Sequence, residues 1–180
     1  MPALVDLRVK LLSWKKSPDR KIMPTKLITT WTDYDSAVQD VLALATHTLL
    51  IFDADLSTLK LERPERLALL RQFLSAAPGH TVQIALLDAE PLRRNCPRLM
   101  ALLAAHAHNF TIIECPPHLA TVSDSLIIAD NRHGTVRFHK DHARAKIIIN
   151  DVEACTPYKH RYDQILEEGG TPVTPTTLGL

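Results

Sequence analysis

The chain has 180 residues, enough for one domain that buries a core without metal or disulfide support. Its 21 Lys and Arg stand against 20 Asp and Glu, so no net field draws it to nucleic acid or to an anionic membrane. Cys96, Cys115 and Cys155 form no C-x-x-C pair, which speaks against a zinc site or a disulfide framework and reads as buried thiols in a reducing cytoplasm.

In chain order, "ALVDLRVKLLSW" fits alternation and helical spacing each in part, so that a short amphipathic helix and a strand both stay open, and "KKSPDRKIMPTK" reads as a charged linker with two prolines. Residues 1–32 are therefore taken as an N-terminal extension, and 33–169 as the domain. Asp6, Arg8 and Lys10 make the first stretch a poor signal peptide, and no apolar run reaches the roughly twenty residues of a membrane span. The expected location is cytoplasmic.

"TDYDSAVQDVLALAT" predicts a helix, with Ala37, Val38, Val41, Leu42 and Ala45 at helical spacing. "TLLIFDADL" predicts a buried strand, and "RPERLALLRQFLSAA" a helix with Pro64 in its first turn. "TVQIALLD", "CPRLMALLAAHAH" and "NFTIIEC" predict strand, helix and strand. "DSLIIAD" and "GTVRFHK" predict a hairpin whose turn chemistry comes from Asn131 and Gly134. "AKIIIND" predicts another strand and "VEACTPYKHRYDQILEE" a last helix ended by Gly169 and Gly170. The tail, 170–180, has no core-forming pattern and is taken as disordered. Alternating strands and helices imply an α/β fold with a mixed, mostly parallel sheet covered by helices on both faces.

Segment order and spacing over about 33–169 resemble one half-domain of the phospholipase D superfamily. The stretches that carry the resemblance are "TLLIFDADLSTLKLERPERLALLRQFL", "VQIALLDAEPLRRNCPRLMALLAAHA", "FTIIECPPHLATVSDSLIIADNRHG" and "AKIIINDVEACTPYKHRYDQILEEG". The resemblance is to small, single-domain bacterial members. It implies a His-x-Lys-x4-Asp motif on the strand entering the hairpin, in which the histidine attacks phosphorus and the lysine neutralises phosphate oxygens. Here the aspartate position is Asp130, which puts Ser123 at the nucleophile position and Ser125 at the lysine position. A serine without an adjacent base is a poor nucleophile, and two serines supply no cation. "RAKIIIND" fits the same spacing at Arg144, Lys146 and Asp151, but it leads into a helix, and arginine is always protonated. The letters His139-Lys140-Asp141 are adjacent, so on a strand His139 and Lys140 would face opposite ways.

The expectation is a degenerate, non-catalytic member acting as a binding or interaction module. Its vestigial-site candidates are Ser123, Ser125, Asp130, Arg137 and His139, with Val136 and Phe138 on the other face of the second hairpin strand. The alternatives are a phosphodiesterase or phosphotransferase with His139 as a relocated nucleophile, and a nucleic-acid-binding domain. Neutral charge and few aromatics speak against the latter. Neither cofactor nor metal is expected, since His133, His139, His142 and Asp141 follow no ligand spacing. Asp53, Asp55 and Asp88 end strands and either line a pocket with Asp124 or Asp130 or, for Asp53 and Asp88 above all, cap turns and helices. Arg63 and Arg66 read as solvated surface charge. Because active superfamily sites join two halves, the resemblance also implies a symmetric homodimer, with a phosphate-containing ligand as a candidate partner.

Overall fold

The computed structural model describes residues 25–175. The reading of "ALVDLRVKLLSW" and the last five residues of the tail lie outside them. The elements are β1 (Thr25–Ile28), α1 (Trp31–Leu44), β2 (Thr48–Asp53), α2 (Pro64–Ala76), β3 (Thr81–Leu86), α3 (Glu90–Asn95), α4 (Pro97–Ala105), β4 (Phe110–Glu114), a 3-10 turn (Pro117–Thr121), β5 (Ser125–Ala129), β6 (His133–Arg137), β7 (Ala145–Ile148), α5 (Val152–Glu167) and β8 (Thr171–Pro172). They build a single mixed sheet in the order β1-β7-β6-β5-β2-β3-β4-β8.

Two helices start where the N-cap side chain supplies a partner for a free first-turn N–H group. The Thr30 hydroxyl accepts from Asp33 N at the start of α1, and the Asp151 carboxylate accepts from Ala154 N at the start of α5. Pro64 opens α2, where a missing N–H costs nothing.

Two apolar layers sandwich the sheet, and the pleat sorts residues between them. Ile51, Ile84, Ile112 and Ile127 face α1, α2 and α4, packing with Val38, Val41, Leu70, Leu99 and Leu102. Leu50, Phe52, Leu126, Ile128 and Val136 face the other way and pack with Tyr162 and Ile165 of α5. The Tyr162 hydroxyl donates to Gln83 O at 3.0 Å, anchoring α5 across the sheet.

The sheet is mixed, as expected, but it is not mostly parallel. Only β2–β3 and β3–β4 are parallel pairs. β5, β6 and β7 follow one another through short loops, and short connections permit only antiparallel neighbours. Strand β5 also lies antiparallel to β2.

Three local readings change. Thr25–Ile28, placed by sequence in the N-terminal extension, pairs with β7 as an edge strand. Thr171–Pro172 of the tail pairs with β4, and Val173 is buried in the α1-side core. In the hairpin loop the left-handed residues are Asp130 and Asn131, with φ of 56° and 49°. Gly134 instead sits within β6, where an added Cβ would lie 3.0 Å from Ile127 O. It is there for close strand approach, not for the turn.

Candidate functional site

Ser125, one of the candidates read from the sequence, is the first residue of β5. Register carries Ser125 opposite Arg137 of β6, and Arg137 opposite Ala145 of β7. On the other side, Phe52 pairs with Leu126, so Asp53 continues the same row beside Ser125. Alternation turns Asp53, Ser125 and Arg137 toward α1, in line with Ile51, Ile127 and Thr135 of the same strands.

All three are buried, at 0, 1 and 1% exposure. The Ser125 hydroxyl donates to Asp53 Oδ1 at 2.5 Å. Arg137 Nη2 donates to Asp53 Oδ1 at 3.1 Å and to Ser125 Oγ at 3.0 Å. Arg137 Nη1 donates to Lys140 O at 2.7 Å and to Thr58 Oγ1 at 3.3 Å. Asp53 Oδ2 accepts from Leu56 N at 2.8 Å. The guanidinium lies 5.3 Å from the Tyr34 ring centroid and 5.8 Å from that of Trp31, so two aromatic faces close the cation from above. Burial pushes the ionisation of the Tyr34 hydroxyl well up, so it stays neutral here. Arg137 Nε is the one buried polar atom of the group with no partner.

Chemically this is a neutralised ion pair bridged by a hydroxyl. Ser125 accepts from a guanidinium and donates to a carboxylate, and that carboxylate is held by the cation beside it. An internal carboxylate thus occupies the guanidinium of Arg137.

The other candidates do not join this group. Ser123 is half-buried ahead of β5 and is not a hydrogen-bond partner of the triad. Asp130 lies at the far end of β5, about 16 Å away at the rise of a strand. There its carboxylate accepts from Thr46 N, His47 N and Thr48 N at 2.8 Å each and from the Thr46 hydroxyl at 2.6 Å. Burial would raise its pKa, but these four donors outweigh burial and hold it below the usual carboxylate range.

His139 lies beyond the end of β6, so it does not share the Arg137 face as expected. Its side chain is 45% exposed, with Nδ1 3.5 Å from Asp141 Oδ2, and Phe138 is 43% exposed. Lys140 contributes only its carbonyl to the triad. Thus His139 and Asp141 meet in a surface loop, while the site uses Lys140 as backbone.

His133 is buried at the start of β6, where Nδ1 accepts from Asn150 N at 3.1 Å. That bond places its proton on Nε2, and burial, its largest influence, lowers its pKa. Among the described residues no three His, Cys, Asp or Glu side chains gather as a metal centre would require.

Two further readings change. Asp88 caps a turn as expected, accepting from Glu90 N at 2.9 Å, but Asp53 does more than cap. Arg66 is 1% exposed and not solvated. It donates to Leu59 O, to Asp35 O at 2.8 Å and to Gln39 Oε1 at 3.3 Å, and pairs with Asp35 Oδ1 at 3.1 Å. Arg63, also paired with Asp35, stays partly exposed. Together they line an open cleft of about 330 Å³ between α1 and α2. The signal that could have found Arg66 is its place in the α2 repeat, one residue before Leu67 and four before Leu70, on the buried side of the helix.

Among solved structures the fold resembles TrmBL2, an archaeal chromatin protein with a novel mode of DNA binding, with TM-score 0.60, 14% identity and 94% of this chain covered. The present chain spans 61% of that protein. It also resembles Nuc from Salmonella typhimurium, a phospholipase D family member, with TM-score 0.53, 11% identity, and 83% of this chain and 99% of that one covered. NucT from Helicobacter pylori gives TM-score 0.53, 14% identity, and 83 and 98% coverage. At such identities the likeness is one of fold, and the fold is phospholipase D-like. No curated protein sequence matches the chain. No helix among the described residues is long and apolar enough to cross a membrane. The model of the family described as Domain of unknown function (DUF7931) matches residues 30–173, well over half of the sequence, and the chain belongs to that family.

Proposed function

We propose that the chain is a non-catalytic, phospholipase D-like protein that works as a binding or interaction module. The observation that carries this reading is the saturation of the Ser125 position. The hydroxyl donates to Asp53, and the neighbouring cation, Arg137, is neutralised by the same carboxylate and covered by Trp31 and Tyr34. A phosphodiester needs a nucleophile with a base beside it and cations aimed at its oxygens, and neither is free there. Metal-free protein should show no turnover of bis-nitrophenyl phosphate, phosphatidylcholine or plasmid DNA. Turnover that disappears in His139→Ala or Ser123→Ala would overturn the reading and install a relocated nucleophile.

A second reading is nucleic-acid binding, favoured by the likeness to a DNA-binding chromatin protein. It weakens the argument from balanced charge, because a neutral chain can carry a local basic surface. The loop that holds His139, Lys140, His142 and Arg144 is where such contacts would gather. Its test is the anisotropy of a labelled duplex, where binding that weakens steeply with salt supports phosphate contacts. A phosphate-containing ligand would meet this loop rather than Arg137. The three cysteines are free, in keeping with a reducing cytoplasm. A symmetric homodimer follows from the single half-site and is checked by sedimentation equilibrium, where a clean monomer mass would refute it.

A further inference from the structure

The parallel strands β2 and β3 start side by side, with Thr48 opposite Thr81. The residues just before them, His47 and His80, are therefore neighbours at that end of the sheet, and Thr81 N donates to His47 O at 2.9 Å. Their ring centroids lie 5.8 Å apart, with 58° between the ring planes. This is the end of the sheet that Asp130 holds, away from the Asp53–Arg137 pair.

Hydrogen bonds fix the proton on each ring. His80 Nδ1 lies 2.8 Å from Phe73 O, and a carbonyl only accepts, so Nδ1 carries the proton. His47 Nδ1 lies 2.9 Å from Thr46 Oγ1. The hydroxyl proton of Thr46 goes to Asp130 Oδ2 at 2.6 Å, so Thr46 Oγ1 accepts and His47 Nδ1 donates. Both neutral rings are left with a lone pair on Nε2. The Phe73 ring stacks on His80 with centroids 4.9 Å apart, while His47 is exposed. Two other histidine pairs have similar spacing without this arrangement. His139, 5.5 Å from His142, accepts at Nδ1 from Asp141 N, which leaves its proton on Nε2. His106, 6.1 Å from His108, has its Nδ1 buried without a partner.

We propose that His47 and His80 bind a divalent transition metal of the zinc class, each through Nε2, with water in the remaining positions. With metal–nitrogen bonds of about 2.1 Å, two imidazoles on one tetrahedral ion have ring centroids roughly 5–6 Å apart, and the pair stands at 5.8 Å. Imidazole suits zinc, copper and nickel, whereas magnesium and calcium take oxygen donors. The Phe73 carbonyl and the Thr46 hydroxyl, itself held by Asp130, stand where a metal-bound histidine finds its second hydrogen bond, which orients the ring and raises its basicity. Among the described residues no group of three His, Cys, Asp or Glu gathers, so the site is an open one with two protein donors rather than a closed structural centre.

Calorimetric titration of the chelator-treated full chain with zinc chloride tests this. The expected result is saturable binding that His47→Gln and His80→Gln each weaken by about tenfold or more, and that the double variant His139→Gln/His142→Gln leaves unchanged. Because His47 is exposed, His47→Gln should keep the urea midpoint of the metal-free chain, so its loss of zinc is not a loss of fold. Nitrogen NMR of the imidazoles should show His47 and His80 with the proton on Nδ1 before zinc is added, and a shift at both Nε2 atoms afterwards. An absence of saturable binding would overturn the proposal. So would binding that survives both single variants, or binding that disappears in the His139/His142 double variant instead.

Discussion

Truncating either end of the Asp53–Arg137 pair strands an ion that water cannot reach, both side chains being 1% exposed. Arg137→Met or Asp53→Leu alone is expected to cost about 3–5 kcal/mol in urea unfolding. The double variant should recover most of that loss, because no charge is left unpaired. Equal losses in single and double variants would mean the pair does not act as a unit. At the other end of β5, Asp130 makes a prediction in pH. Its folded pKa is lowered, so its stabilisation is present above the unfolded value of about 3.9 and fades as pH falls through the folded value. Asp130→Ala should therefore cost about 2 kcal/mol near neutrality and progressively less below pH of about 4, measured by denaturant unfolding across pH. The identities of these residues were legible from the motif spacing and the hairpin pattern, but their roles were not. By sequence, Ser125 and Arg137 are candidates for a vestigial phosphate site, and their partner Asp53 is a cap. Strand alternation says that Arg137 shares a face with Thr135. It does not say which acid lies two strands away.

The elements follow the strength of their local signal. Strands β2 and β5 are mostly apolar and buried on both faces, β3 is buried except at Thr81 and Gln83, and all three stand where the sequence puts them. Helix α5 is likewise bounded by its capping Asp151 and by Gly169, with φ of 81°. The edges failed because "TKLI" and "TP" are too short to show a period, and their order comes from pairing with β7 and β4. The second hairpin strand ends at Arg137, where Phe138 and His139 bend away. That bend moved His139 off the face it would share with Arg137 on a longer strand. The β8 edge makes its own prediction. A Cβ on Gly170 would lie 2.6 Å from Glu114 O, a backbone atom that cannot turn aside. Gly170→Ala should cost about 1–3 kcal/mol and speed amide exchange around Val173, with β2 and β5 unchanged. Unaltered exchange at Val173 would show that the tail is not held by β4.

At the scale of the whole molecule, an α/β half-domain could be read from segment order, but the strand order could not. The pairing of β2 with β5 joins residues some 75 apart in sequence, and nothing local encodes it. That pairing brings Asp53 beside Ser125 and Arg137 and so decides what the site can do. The fold brings these three side chains into one buried row, where carboxylate and cation satisfy each other. The most direct measurement of that claim is the side-chain NMR spectrum of Arg137 in the full chain, titrated with inorganic phosphate. A guanidinium saturated by Asp53 and shielded by Trp31 and Tyr34 should give slowly exchanging N–H signals that phosphate leaves in place. A saturable shift of those signals with phosphate, absent in Arg137→Met, would contradict the account and reopen the site to a ligand.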